Sequence, residues 1–360
     1  MGHLKEVLEE EVEHLTEALQ HELDELKEAV AVPLKHKEPD PVVGMDAATF
    51  MTTPASVCTD AVFKKRLENG EERFLYVLMH IDGDLQEYPI PFQRRSQGNQ
   101  DFILFELFRR LGETNRYFVE FGFNCADWGG SGPNTHALFE RGWRGLLLDA
   151  DNSNANINLH RRFLYYSNIG QILSEFRVPK ELDYLSCDMD SHDWFVMLGI
   201  LQANYRPRVL SIEFNSNYFS PAHVNGTGIA AAELDPTYLS KQEPGQSKFV
   251  FKQCAWGSSP EANLTLMTKY NYTLVAVTYL LDMFFVRNDV LPDNIIIPPA
   301  TQLLLPVRDL LHEPAQPMDL NNIVDVEIIL RGGSIDEAKQ SFLKKIAHYK
   351  THPCWSDSIV

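Results

Sequence analysis

Tyr117-Phe-Val-Glu-Phe-Gly122, followed by Gly142-Trp-Arg-Gly-Leu-Leu-Leu-Asp149, is the stretch of sequence that decides the fold. A strand with one wet face alternates apolar and polar residues, whereas a continuous run such as Leu146-Leu147-Leu148 suits a strand covered on both faces. Between the two runs, Asn134 to Arg141 has helical spacing, so the unit reads strand, helix, strand. The pattern continues downstream. A short strand is expected around Phe163 to Ser167, then a strand at Leu182 to Asp188, a helix from about His192 to Asn204, a strand at Arg208 to Phe214 and a helix at Pro260 to Tyr270. The runs Tyr272 to Thr278 and Met283 to Arg287 are four residues apart, which suits an antiparallel hairpin at one sheet edge. Repeated strand-helix units predict an α/β fold, a mainly parallel sheet with helices on both faces.

Outside this block the chain changes character. Asp101 to Leu111 reads as a helix leading into the first strand. Residues 33 to 99 read as a linker and mixed accessory segment, opened by Pro33, Pro39 and Pro41, with a strand at Phe74 to His80 and a turn at Asp82-Gly-Asp84. Upstream, Leu8, Val12, Leu15, Leu19, Leu23, Leu26 and Val30 form one apolar stripe over residues 4 to 30, repeating every 11 residues. That period, about 3.67 residues per turn, gives a straight or slightly right-handed stripe. This acidic helix, within residues 1 to 32, either folds back on its own globular body, pairs with another copy as a coiled coil, or docks on a foreign partner. Residues 301 to 360 read as a C-terminal helical extension in which Ser334-Ile-Asp-Glu337 is a capping box. The domain proper is placed at residues 100 to 300.

Composition narrows the function. Fifty acidic residues against 32 Lys plus Arg give a formal charge of -18, a field that repels nucleic acid and anionic lipid. No apolar run reaches the roughly 18 residues of a membrane span, and the N-terminus lacks the basic and apolar regions of a secretory signal. A soluble, cytoplasmic protein with no nucleic-acid or membrane partner is expected. The five cysteines are dispersed without a CxxC pair, so neither a disulfide framework nor a zinc knuckle is predicted.

Ligands of open parallel sheets bind beyond the carboxyl ends of the strands, so the residues leaving each strand are the ones to inspect. They are acidic here: Glu120 before Gly122, Asp149 and Asp151, then Asp188 and Asp190 with His192 and Asp193 after them, and Glu213 before Asn215. A dinucleotide site needs GxGxxG after its first strand to bring a pyrophosphate to the helix N-terminus, and Gly122-Phe-Asn-Cys-Ala126 does not supply it. Carboxylates without a phosphate cradle suit a cofactor with a ribose and a cationic centre, which describes S-adenosylmethionine.

Tyr117-Phe-Val-Glu-Phe-Gly122, Gly132-Pro-Asn-Thr135, Gly142 to Asp149, Leu185-Ser-Cys-Asp-Met-Asp190 and Tyr205 to Asn215, with Gly257-Ser-Ser259 and Phe284-Phe-Val-Arg287 behind them, resemble the FkbM-type S-adenosylmethionine-dependent methyltransferases from about residue 100 to 290. The resemblance implies a class I methyltransferase sheet of order 3-2-1-4-5-7-6 with strand seven antiparallel. It also implies that Glu120 and Gly122 lie beside the methionine part of the cofactor, that Asn134 and Thr135 bind the cofactor too, that Asp149 takes the ribose hydroxyls, and that Asp188 faces the reacting centre. In the first loop Asn124-Cys-Ala-Asp-Trp-Gly-Gly-Ser131 replaces the compact glycine turn of most class I enzymes.

Asp188 and Asp190, with Glu213 and Asn215 from the next strand, also offer the hard oxygen ligands that Mg²⁺ prefers. In the plainer alternative Asp188 caps the following helix and Asp190 and Asp193 are solvated. His192 and His223 are candidate general bases, against the commoner outcome of a histidine with no chemical role. Trp194, Tyr218, Phe219 and Trp256 line an acceptor pocket or pack the core. The expected function is S-adenosylmethionine-dependent methyl transfer to an oxygen of a small molecule or glycan, with Asp188, Asp190 and His192 as catalytic candidates. The alternative is a non-catalytic fold kept as a ligand-binding or assembly platform, with the acidic helix as its working part. Under either reading, a homo-oligomer through the N-terminal helix is among the expected partners.

Overall fold

The computed structural model describes residues 95–98, 100–129, 132–215, 228–233, 256–278, 281–292, 297, 300–304 and 323–346. The helix expected at residues 4 to 30, the strand and turn at 74 to 84, His223, Tyr218 and Phe219 lie outside the described residues. In chain order the elements are α1 Gln100–Leu111, β1 Tyr117–Phe121, α2 His136–Glu140, β2 Arg144–Asp149, β3 Leu159–Arg161, α3 Ile169–Glu175, β4 Tyr184–Cys187, α4 Asp193–Gln202 and β5 Val209–Glu213. They continue with β6 Ile229–Ala231, α5 Pro260–Lys269, β7 Tyr272–Val277, β8 Asp282–Arg287, α6 Ala300–Leu304, β9 Ile323–Asp325, α7 Val326–Leu330 and α8 Ile335–Ile346.

Seven strands form one sheet in the order β3-β2-β1-β4-β5-β8-β7. The first five run parallel, and β8 lies antiparallel between β5 and β7. With β6 set aside, because it pairs with β9 in a separate two-stranded sheet, this is the order 3-2-1-4-5-7-6 of the class I methyltransferase fold. The unbroken apolar run of β2 follows from its position. Leu146 and Leu148 enter the core on one face with α3, α4 and α5, while Leu147 enters the opposite core with α1. Full burial of each such side chain stabilises the fold by roughly 1.5–3 kcal/mol over leaving it in water. The third strand is a correction to the sequence reading. It is Leu159–Arg161, and the aromatic run expected as a strand lies in the following loop, where Leu164 and Tyr165 are buried.

Two polar clamps fix the ends of this framework. At the amino-terminal edge of the sheet, the buried Asp183 accepts hydrogen bonds from the backbone N–H groups of Thr114 (2.8 Å), Asn115 (2.9 Å) and Arg116 (2.8 Å), and from Arg208 Nη1 (2.8 Å). Arg208 in turn caps the end of α1 through the carbonyls of Leu111 and Gly112. On the other side, β9 attaches the C-terminal extension to β6. There the buried Asp325 caps α7 through Glu327 N (3.2 Å) and pairs with Lys345 Nζ (2.6 Å) and Ser341 Oγ (2.7 Å) from α8. The capping box opens α8 as its sequence predicts: Ser334 N donates to Glu337 Oε2 (2.8 Å) and Glu337 N to Ser334 Oγ (3.2 Å). No helix among the described residues is long and apolar enough to cross a membrane.

Candidate functional site

The parallel strands β1, β2, β4 and β5 deliver their carboxyl ends to one edge of the sheet, and β8, running the other way, begins there. Gly122 turns the chain out of β1 at φ +71°, a left-handed conformation, and a Cβ on it would lie 1.6 Å from the carbonyl oxygen of Asp188. Only glycine allows the exits of β1 and β4 to approach so closely.

Glu120 does not point into open space. Its Oε1 accepts Asn134 N (2.7 Å) and its Oε2 accepts Thr135 N (3.2 Å) and the Thr135 hydroxyl, so the acid of β1 holds the start of α2. Burial pushes its carboxyl up to about 7, against the three donors that favour the ionised form. Asn134 and Thr135, expected beside the cofactor, are therefore tied to Glu120. The Asn134 side-chain amide extends the contact inward, to Ser186 Oγ (3.0 Å) and Asp282 Oδ2 (3.2 Å).

Asp149 closes β2 and fastens two loops. Its Oδ1 accepts Asp151 N (2.7 Å), Asn152 N (2.7 Å) and Asn152 Nδ2 (3.0 Å), and its Oδ2 accepts Asn124 N (2.7 Å) from the first loop. Three of the four donors converge on Oδ1, which leaves Oδ2 the less occupied oxygen. The first loop is filled by aromatic side chains where a glycine turn would leave space. Phe123 is buried, and Trp128 stacks on His136 (4.9 Å) and Phe139 (4.6 Å) of α2.

The exits of β4 and β5 form an acidic cluster. Asp188, Asp190 and Glu213 each present an oxygen within 4.8 Å of the others. Glu213 is buried, Asp188 half-buried and Asp190 exposed, so the cluster runs from the interior to the surface. Burial first, then the neighbouring acids, raises Asp188 and Glu213 far above the ordinary carboxylate range, and the two side chains share a hydrogen bond. Glu213 Oε2 has no donor among the described residues. Carboxylates that repel one another and carry an unmet buried oxygen fit a hard divalent cation. Asn215, the fourth residue of the expected set, gives its amide N–H to Trp256 O (2.8 Å) and its backbone N–H to Ser258 O (2.8 Å), which fixes the turn beside β5.

His192 takes a different place from the acids near it in sequence. Its ring is buried, stacked on Tyr165 and hydrogen-bonded through Nε2 to Leu164 O (2.8 Å), and burial lowers its imidazole to about 4. The capping role considered for Asp188 is not seen: α4 has His192 at its N-cap without a side-chain cap bond, and the buried Asp193, its first residue, accepts Met189 N (2.7 Å) and Ser191 N (3.1 Å) from the turn that precedes the helix. Trp194 is a core residue, its indole N–H bound to Ala262 O (3.0 Å).

Asp282 and Gln100 belong to this edge and escaped the sequence reading. Asp282 is fully buried at the start of β8, opposite Glu213, and accepts Gln100 Nε2 (3.0 Å) and Asn134 Nδ2 (3.2 Å). Burial raises its carboxyl to about 6, with both amide donors acting against the rise. Inspecting strand exits alone misses it, because an antiparallel strand brings its entry to the site.

No family model matches this chain, and no curated protein matches it. Among solved structures it is similar to the MycE methyltransferase from the mycinamycin biosynthetic pathway in complex with Mg and SAH. The identity is 12% and the TM-score 0.31, over 74% of this chain and 70% of that one. The same values hold for the MycE complex that also contains mycinamycin VI. The pyocyanin biosynthetic protein PhzM is similar at 14% identity and a TM-score of 0.25, over 65% of this chain and 69% of that one.

Proposed function

We propose that this chain is an S-adenosylmethionine-dependent methyltransferase that acts on an oxygen of a small molecule or glycan. The observation that carries the reading is the sheet order with its antiparallel seventh strand, together with Glu120 and Gly122, Asp149 and Asp188 at the exits of β1, β2 and β4. The resemblance of residues 100 to 290 to the FkbM-type enzymes supports it. When bound, the cofactor supplies an electrophilic methyl group on a sulfonium centre. The chain's residues would do the rest. Asp149 would accept a ribose hydroxyl, Glu120, holding Asn134 and Thr135, would lie beside the methionine end, and Asp188 would face the reacting centre, where its carboxylate would take the acceptor hydroxyl's proton as the O–CH₃ bond forms and the S–CH₃ bond breaks. Most of the acceleration would come from alignment of acceptor oxygen, methyl carbon and sulfur. Asp188, Asp190 and Glu213 would hold a divalent cation such as Mg²⁺, which supplies Lewis acidity toward an acceptor hydroxyl.

A second reading, a platform without catalysis, is favoured by the aromatic filling of the first loop and by the four donors that Asp149 already accepts from its own chain. Calorimetry with S-adenosylhomocysteine separates the two. Wild type should bind, and Asp149→Asn should bind about ten-fold or more weakly, the loss of a charge-assisted hydrogen bond of roughly 1.5–3 kcal/mol. Absence of heat from wild type at millimolar ligand removes the methyltransferase reading and leaves the platform.

A further inference from the structure

Asp282, at the start of β8, is fully buried, and no Lys, Arg or His among the described residues pairs with it. The donors to its side chain are two neutral amides, Gln100 Nε2 (3.0 Å) and Asn134 Nδ2 (3.2 Å), both on Oδ2. Burying a carboxyl on neutral donors carries a desolvation cost that an apolar residue would avoid, so stability alone does not account for an acid at this position. The account lies in what the two amides are attached to.

Neither amide is free to turn. Gln100 Oε1 accepts Gly98 N (2.7 Å), which sets Nε2 toward Asp282, and Asn134 Nδ2 also donates to Ser186 Oγ (3.0 Å). Through Gln100, Asp282 is tied to the turn ahead of α1, and through Asn134 to residues 132–135, the segment that leads into α2. That turn and that segment meet again at Gly132, where φ is +91° and an added Cβ would lie 2.7 Å from Gln97 N. Pro133 has no backbone N–H, so after Gly132 the first main-chain donor is Asn134. It donates to Glu120 Oε1 (2.7 Å), and it is the one donor this oxygen has among the described residues. A shift of Asn134 would therefore release one oxygen of Glu120.

We propose that Asp282 and Gln100 are positioning residues for the methionine end of the cofactor: they hold Asn134, and Asn134 holds the carboxyl of Glu120. The inference rests on the reading of this chain as an S-adenosylmethionine-dependent methyltransferase and deepens it. It adds to the cofactor side one residue from β8 and one from α1, neither of which needs to touch the cofactor.

Calorimetry on the full chain with S-adenosylhomocysteine and with methylthioadenosine, which lacks the amino-acid end, tests the assignment. Wild type should bind both. Asp282→Ala should bind S-adenosylhomocysteine about five-fold or more weakly and methylthioadenosine to within about two-fold of wild type. Asp282→Asn keeps an acceptor oxygen for the two amides and should hold S-adenosylhomocysteine to within about two-fold of wild type. In an Asn134→Ala background, Asp282→Ala should cause no further loss, because its effect passes through Asn134. Equal weakening of both ligands, additive losses in the double variant, a loss in Asp282→Asn as large as in Asp282→Ala, or unchanged affinity in Asp282→Ala each overturns the positioning role. Wild-type binding of S-adenosylhomocysteine would leave the methyltransferase reading standing in all four cases, whereas its absence removes that reading and this inference with it. Should Asp282→Ala not fold, Gln100→Met keeps the acid and removes one of its donors. That variant should weaken S-adenosylhomocysteine alone by about two- to three-fold, and an unchanged ratio of the two affinities would overturn the assignment.

Discussion

Replacing Glu120 by Gln isolates one buried proton. The carboxyl is 5% exposed and sits at about 7 in the folded chain, against an ordinary value of 4.5. Below 4.5 both folded and unfolded chains hold the proton; between 4.5 and 7 only the folded chain does. Folding therefore takes up a proton in that window, and stability must fall as pH rises through it, then level off. At about 1.4 kcal/mol per pH unit the displacement amounts to roughly 3 kcal/mol, present at pH below 4.5 and gone above 7. Glu120→Gln cannot ionise, so the decline should vanish from the variant. Urea unfolding of both proteins at half-unit steps from about pH 4.5 to 8 gives the difference curve, in which titrations common to both cancel. The variant should gain on wild type by roughly 3 kcal/mol from the acid to the alkaline end of this range. A difference flat to within about 0.5 kcal/mol would mean that the donors from Asn134 and Thr135 hold the carboxylate ionised throughout, and the reasoning from burial would fail.

Asp183→Asn removes the charge that Arg208 pairs with at the far edge of the sheet, and a buried pair broken on one side costs about 3–5 kcal/mol. Burial raises this acid, but the donors from Arg208, Thr114 and Arg116 together outweigh burial and hold it below its ordinary value. The contribution is thus present above about pH 3.9 and is lost as pH falls through the depressed value. Urea melts at neutral pH should show the loss, with S-adenosylhomocysteine affinity unchanged in the folded fraction. Gly122→Ala puts a Cβ 1.6 Å from the Asp188 carbonyl and should lower stability by about 3 kcal/mol or more while weakening Mn²⁺ binding, since the exit of β4 must move. Thermal melting and an Mn²⁺ titration check both effects together.

Which parts of this architecture could be read from sequence follows from local chemistry. β2 was legible because Leu146, Leu147 and Leu148 are all buried, on alternate faces, and no half-buried strand or loop tolerates such a run. β3 was not. It carries a single buried apolar residue, Leu159, and its identity comes from pairing with β2, whereas the richer aromatic run just after it packs as a loop. Asp188, Asp190 and Glu213 were legible as a set because strand exits of a parallel sheet converge. Asp282 was hidden because its position depends on the direction of β8, and Gln100 because α1 precedes the sheet by no recognisable motif. The grip of Glu120 on Asn134 and Thr135 needs the path of the intervening loop, which no spacing encodes.

The pairing of β6 with β9 has a consequence for the order in which the protein comes into being. β6 belongs to the connection between β5 and α5, and Ala231 N donates to Gly257 O, whose own N–H holds Ser191 O beside Asp190. Its strand partner is synthesised much later, after the main sheet is complete in sequence. At roughly 5 to 20 residues per second, a ribosome reaches β9 on the order of 5 to 20 s after β6. During that interval the parallel core can assemble while the wall beside the acidic cluster lacks its last strand. The nascent chain would thus acquire its scaffold first and its finished site last, and a translational pause within the C-terminal segment would prolong a state that is folded but not yet competent.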